Sequence, residues 1–210
     1  MCTSFTHDGR FLITGDSDGL VKVWADTNKN LELQTHFYAG EHSLSAVSTA
    51  PCSKTLAVGD FAGNVVICNI SGKVLSRFDA HVGRVSAITH TPDGNFLITA
   101  GADSTIKLWS ISKRTCRVFK GHNGSVEGIT LGQGGSLISW GSDFTLRIWT
   151  LDCQFHRVLK DYPSESVALA HFTNDGNEIR VIGDQGDIHI INLNLNNLVS
   201  QATAWCSGTN

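Results

Sequence analysis

The sequence predicts an all-β chain of small antiparallel sheets, one per repeat of about forty residues. Three observations carry this reading. Five fourteen-residue segments align without a gap: FLITGDSDGLVKVW (11–24), TLAVGDFAGNVVIC (55–68), FLITAGADSTIKLW (96–109), SLISWGSDFTLRIW (136–149) and EIRVIGDQGDIHII (178–191). Their starts lie 44, 41, 40 and 42 residues apart. Glycine occurs 21 times against 3 prolines, and Gly-, Asp- and Asn-rich punctuation recurs along the chain, as short strands joined by tight turns require. No apolar stripe at helical spacing competes with this pattern.

Within each segment an apolar half meets a Gly, Asp or Asn turn and an alternating half such as TIKLW follows, which is the pattern of a hairpin. Upstream of four segments lie turn signals, HDG (7–9), PDG (92–94), QGG (133–135) and NDG (174–176), preceded by β-rich runs such as VSAITH (85–90). That run supplies a first strand. Downstream, KVLSRF (73–78), CRVFK (116–120) and HRVLK (156–160) supply a fourth, whose Lys and Arg guard an exposed edge.

A single four-stranded sheet of this size cannot cover both its faces, so consecutive sheets must stack, and the radial stack of such units is a β-propeller. AHVGRVSAITHTPDGNFLITAGADSTIKLW (80–109), with GHNGSVEGI (121–129) and SDFTLRIW (142–149), resembles WD repeats. The resemblance covers nearly the whole chain, as one domain over 1–210 with repeats at roughly 1–35, 36–79, 80–120, 121–160 and 161–205. The first of these is shortened at its start.

The resemblance implies a hydrogen-bonded set in each repeat: a His before the first strand, a Ser or Thr on the second, an Asp in the next turn and a Trp ending the third. The third repeat carries His81, Thr99, Asp103 and Trp109, and the fourth carries His122, Ser139, Asp143 and Trp149. The first has Thr14, Asp18 and Trp24, its His falling before residue 1. The second and fifth have Val58, Ala62, Cys68 and Val181, Gln185, Ile191 at these places. Loss of the polar set together is expected of a buried network, where removing one member strands its neighbour at a cost of about 1–3 kcal/mol.

His, Ser or Thr and Asp are also the residue types of a nucleophilic triad. The sequence offers no G-x-S-x-G elbow, and an Asp in a tight turn with an indole as fourth member suits a structural role, so no catalytic residue is assigned. The remaining histidines, 7, 36, 42, 90, 156, 171 and 189, show no metal-ligand spacing, and no metal or cofactor is expected. The glycine runs lack G-x-x-x-x-G-K-[ST] and read as hairpin turns rather than a phosphate loop.

With 16 Lys and Arg against 19 Asp and Glu, a net charge of −3, and no basic cluster, nucleic acid is not an expected partner. No apolar run reaches membrane-spanning length and no signal-peptide pattern opens the chain, so a cytoplasmic address is expected, with the nucleus left open. Six scattered cysteines without C-x-x-C read as reduced and structural.

The expected function is non-catalytic: a scaffold that presents one face to a peptide or protein domain. By position in the resemblance, partner-binding falls to Phe61, Arg84, Ser86, Ser125, Glu127 and Asp184, with Ala102 and Ser142 beside them. The alternative is a regulatory sensor propeller forming part of a larger signalling NTPase, since LISWGSDFTLRIW and VIGDQGDIHIINL are similar to the sensor propellers of apoptosome-type NTPases. A hydrolytic enzyme ranks behind both. A first repeat opening mid-sheet suggests part of a longer chain, or a ring closed by pairing with the tail 195–205, or self-association at the open edge.

Overall fold

A computed structural model describes residues 1–27, 30–151, 156–159, 166–173 and 175–193. The first sheet is formed in chain order by β1 (Cys2–Phe5), β2 (Phe11–Gly15), β3 (Leu20–Thr27) and β4 (Asn30–Tyr38). The second contains β5 (Leu44–Thr49), β6 (Thr55–Asp60), β7 (Asn64–Asn69) and β8 (Val74–Asp79). The third contains β9 (Val85–His90), β10 (Phe96–Gly101), β11 (Thr105–Ser110) and β12 (Thr115–Lys120). The fourth runs β13 (Val126–Leu131), β14 (Ser136–Gly141), β15 (Leu146–Thr150) and β16 (His156–Leu159), and the fifth β17 (Val167–Phe172), β18 (Glu178–Gly183) and β19 (Ile188–Asn192). Neighbouring strands pair antiparallel, as the hairpin reading requires.

The five aligned segments are the central hairpins of the five sheets. Leu97 pairs with Trp109 and Leu12 with Trp24 in the same register. Central strands such as β6 and β10 are buried on both faces, whereas β12 is exposed along most of its length, which is why the former read as continuous apolar runs and the latter alternates with Arg and Lys. The opening strand β1 has four residues where β5 and β9 have six, yet it completes a four-stranded first sheet. The QGG segment differs from the simple hairpin turn predicted for it: Gln133–Gly135 forms a 3-10 turn, with Gly134 and Gly135 at φ 72° and 80°. Lys160 of the expected fourth strand, and the tail 195–205 proposed to close a ring, lie outside the described residues.

Two compact units divide the chain: Met1–Ile129 with Gly141–Asp143, and Thr130–Trp140 with the chain from Phe144 onward. In the first unit the opening strands β1, β5 and β9 lie side by side. Between its first two sheets Ile13, Val21, Val23, Leu44, Val58 and Cys68 form an apolar layer, and Ala57, Val65, Val85 and Leu97 form the next. Each such Leu, Ile or Val side chain contributes roughly 1.5–3 kcal/mol by leaving water. The second unit is packed around Ile138, Leu146, Ala170, Ile179 and Val181. No helix among the described residues is long and apolar enough to cross a membrane.

Candidate interaction face

Antiparallel pairing puts the β2–β3, β6–β7 and β10–β11 turns of the first unit at one end, together with the loops that lead from one sheet to the next. Backbone hydrogen bonds tie them into a continuous surface. Ala39 N–H donates to Gly19 O (2.9 Å) and His81 N–H to Gly63 O (3.0 Å), so each turn receives the loop that follows its sheet. Phe61 N–H donates to Ser43 O (3.0 Å), Ala102 N–H to Arg84 O (2.9 Å) and Ser142 N–H to Ser125 O (2.9 Å), so each turn also holds the loop that precedes it. Gly63 has φ +97°, and a Cβ there would stand 2.0 Å from His81 O. Only glycine fits.

Beneath this surface the third sheet joins all four polar residues assigned to it. Trp109 Nε1–H donates to Thr99 Oγ1 (2.9 Å), and Thr99 Oγ1 lies 2.8 Å from His81 Nε2. With its acceptor side taken by the indole, the hydroxyl gives its proton to Nε2, so the imidazole carries its own on Nδ1 and donates to Asp103 Oδ1 at 2.8 Å. Burial lowers the His81 pKa, which keeps the ring neutral as this chain of bonds requires. Burial opposes ionisation of Asp103 as well, but hydrogen bonds from Thr105, His81 and the Val82 amide hold its carboxyl down at about 2. The imidazole reaches the Asp because Gly101 lacks a side chain; a Cβ there would lie 2.4 Å from the ring.

In the fourth sheet His122 Nδ1 lies 2.9 and 3.0 Å from the two Asp143 oxygens, and Trp149 Nε1–H donates to Ser139 Oγ at 2.8 Å. The first sheet has the Trp24-to-Thr14 bond at 3.0 Å, but Asp18 is not brought to it. Asp18 is exposed beside Ser17, and Asp16 closes the turn instead, accepting from the Asp18 and Leu20 amides. In the second sheet Val58 and Cys68 join the apolar layer, where burial pushes the Cys68 thiol up to about 12. Val181 does the same in the fifth.

Thr99 is fully buried and its hydroxyl is engaged on both sides, so the His–Thr–Asp set presents no nucleophile to a substrate. What the end does present is Phe61, 52% exposed, with the Arg84 guanidinium 5.8 Å from its ring centroid. Arg84 in turn pairs with Glu127, and Val82, two residues before Arg84 in the chain, is 83% exposed. Three of the six predicted contact residues thus form one string. Ser86 is placed differently: its hydroxyl donates to Val126 O and links β9 to β13. Ser125 offers its carbonyl to Ser142, Ala102 and Ser142 are exposed turn residues, and Asp184 is exposed in the second unit.

Sequence reasoning missed two sets. Asp60 repeats the role of Asp16, accepting from Ala62 N–H (2.9 Å) and Asn64 N–H (2.8 Å), and the recurring G-D before the turn was its signal. The opening strands carry the other: Ser45 Oγ donates to Val85 O (2.6 Å) and Ser48 Oγ meets His90 Nδ1 (2.9 Å), both joining the second sheet to the third. Comparing LSAVST with VSAITH would have exposed Ser45 and Ser86 as equivalent.

Residues 1–25, 72–110 and 113–150 match the model of the WD domain, G-beta repeat. These three segments are WD repeats. Among proteins similar to it are Protein groucho of Drosophila melanogaster, 27% identical over 126 residues, and human angio-associated migratory cell protein, 29% over 145. A third is apoptotic protease-activating factor 1 of Rattus norvegicus, 29% over 140 residues. The alignments cover 60%, 64% and 62% of this WD-repeat chain but 17%, 31% and 11% of those proteins. The chain therefore spans less than a third of each.

Proposed function

We propose that this WD-repeat chain is a non-catalytic protein-binding module whose contact face is the end bearing Phe61, Arg84 and Glu127. The observation that carries it is the exposed Phe61 ring held beneath Arg84, itself fixed by Glu127, because an ordered aromatic–Arg pair on a rigid backbone is the kind of side-chain cluster that dominates binding energy. The polar sets below are read as braces that keep this end rigid. A cytoplasmic or nuclear address suits that role.

The test compares the native chain with Phe61→Ala and Arg84→Ala in affinity capture with quantitative mass spectrometry. A partner retained by the native chain should be lost by more than tenfold in both variants, which should melt within a few degrees of it. If every captured protein is retained equally by all three, the face is not the contact surface. A second reading, a sensor region within a larger signalling NTPase, draws on the similarity to apoptotic protease-activating factor 1. An in-frame nucleotide-binding domain in the same transcript would favour it.

A further inference from the structure

The first unit has a second feature at the opposite end from Phe61. A groove of about 750 Å³ opens there between the second and third sheets. Its wall includes Phe78 and Trp109, whose ring centroids lie 4.6 Å apart with the planes tilted by 47°, with Leu97 beside them, and Leu75 and Ile111 are 51% and 39% exposed. This volume accommodates a bulky side chain with its flanking backbone.

The charge around the groove is one-sided, although the chain as a whole is net negative. The turns of these two sheets at this end bring Lys54, Lys73, Lys113 and Arg114, all exposed. Their one acid, Asp93, has both oxygens engaged: Oδ1 accepts from Thr91 and the Asn95 amide, and Oδ2 from the Asn95 side chain. Arg114, which lines the groove, has no side-chain hydrogen bond or ion pair among the described residues. It stands at φ 53°, in the turn that projects it.

We infer that this groove is a second docking site, separate from the Phe61 face, for a segment of a partner protein carrying one bulky apolar residue flanked by Asp or Glu. The apolar wall takes the bulky side chain, and Arg114 with the neighbouring lysines receives the carboxylates. A phosphate backbone would meet the same cations but has nothing to place against Phe78 and Trp109. The peptide is therefore the better-matched occupant.

The test is an array of twelve-residue peptides, each with a central Phe, Leu or Trp flanked by Asp and Glu, beside Lys- and Arg-flanked counterparts, probed with the full chain. Acidic members should be retained and basic ones not. In solution anisotropy the best acidic peptide should bind at least tenfold more weakly to Lys113→Glu/Arg114→Glu and to Ile111→Asp, exposed changes whose melting temperatures check the fold. Phe61→Ala should bind it as the native chain does, which separates this site from the face proposed above. Absence of any retained acidic peptide, equal retention of the basic set, or unchanged affinity in both groove variants would overturn the inference. So would displacement of the peptide by a single-stranded oligonucleotide of equal charge, because the surface would then be reading charge alone.

Discussion

His90 shows how far one buried side chain can tie stability to pH. Its ring is buried between β9 and β5, where it meets the Ser48 hydroxyl, and burial drives its pKa to about 4. An imidazole that ionises near 6.5 in the unfolded chain and near 4 in the folded one makes the unfolded state the better proton acceptor between those values. Stability from this group is therefore full above pH 6.5, falls as the pH drops toward 4, and is constant below. A separation of this size corresponds to about 3 kcal/mol. Urea midpoints measured from pH 7 to 4 should fall more steeply for the native chain than for His90→Gln; parallel slopes would show that the ring does not titrate in this way.

At the scale of the sheet, the polar set of the third repeat acts as one object. His81→Ala leaves the Thr99 hydroxyl and the Asp103 carboxylate each short of a partner, so it should cost about 1–3 kcal/mol in urea unfolding. An apolar replacement of the whole set, His81→Leu with Thr99→Val, Asp103→Ala and Trp109→Phe, should cost clearly less than the sum of the four single changes, since it leaves no member of the set without its partner. Additive losses would mean that the residues act independently. The turn above the set has a comparable sensitivity. Gly63→Ala forces a side chain into a left-handed backbone and against His81 O, and should cost about 3 kcal/mol. Because it displaces the loop bearing His81, its effect should not add to that of His81→Ala.

For the molecule as a whole, the sheets and their central hairpins were legible because burial imposes a pattern on sequence: two-sided burial makes β6 and β10 apolar throughout, and exposure makes β12 alternate. The Thr or Ser, Asp and Trp of the third and fourth repeats were legible because each sits at a fixed offset within a fourteen-residue frame, and the His because it stands just before the first strand, where the resemblance places it. Asp18 was assigned from that same frame, which registers position and not which of two nearby carboxylates faces the backbone amides; Asp16 does. Ser86 read as a surface residue, and its engagement with Val126 O, like that of Ser45 with Val85 O, depends on how neighbouring sheets are juxtaposed. The one-sided charge at the groove was hidden for a similar reason. Lys54, Lys73 and the Lys113–Arg114 pair are spread along the chain and share one end only when two sheets stand side by side.

The bond between indole and hydroxyl bears on how such a repeat can change over generations. Trp109 meets Thr99 directly, as Trp24 meets Thr14, so this half of the set keeps its own partner when the imidazole and the carboxylate are exchanged together. Loss of the His alone, with its Asp still in place, has no such refuge. Histidine and aspartate should therefore disappear from a repeat nearly together, while the indole and hydroxyl linger, and related chains should be rich in this intermediate and poor in the other.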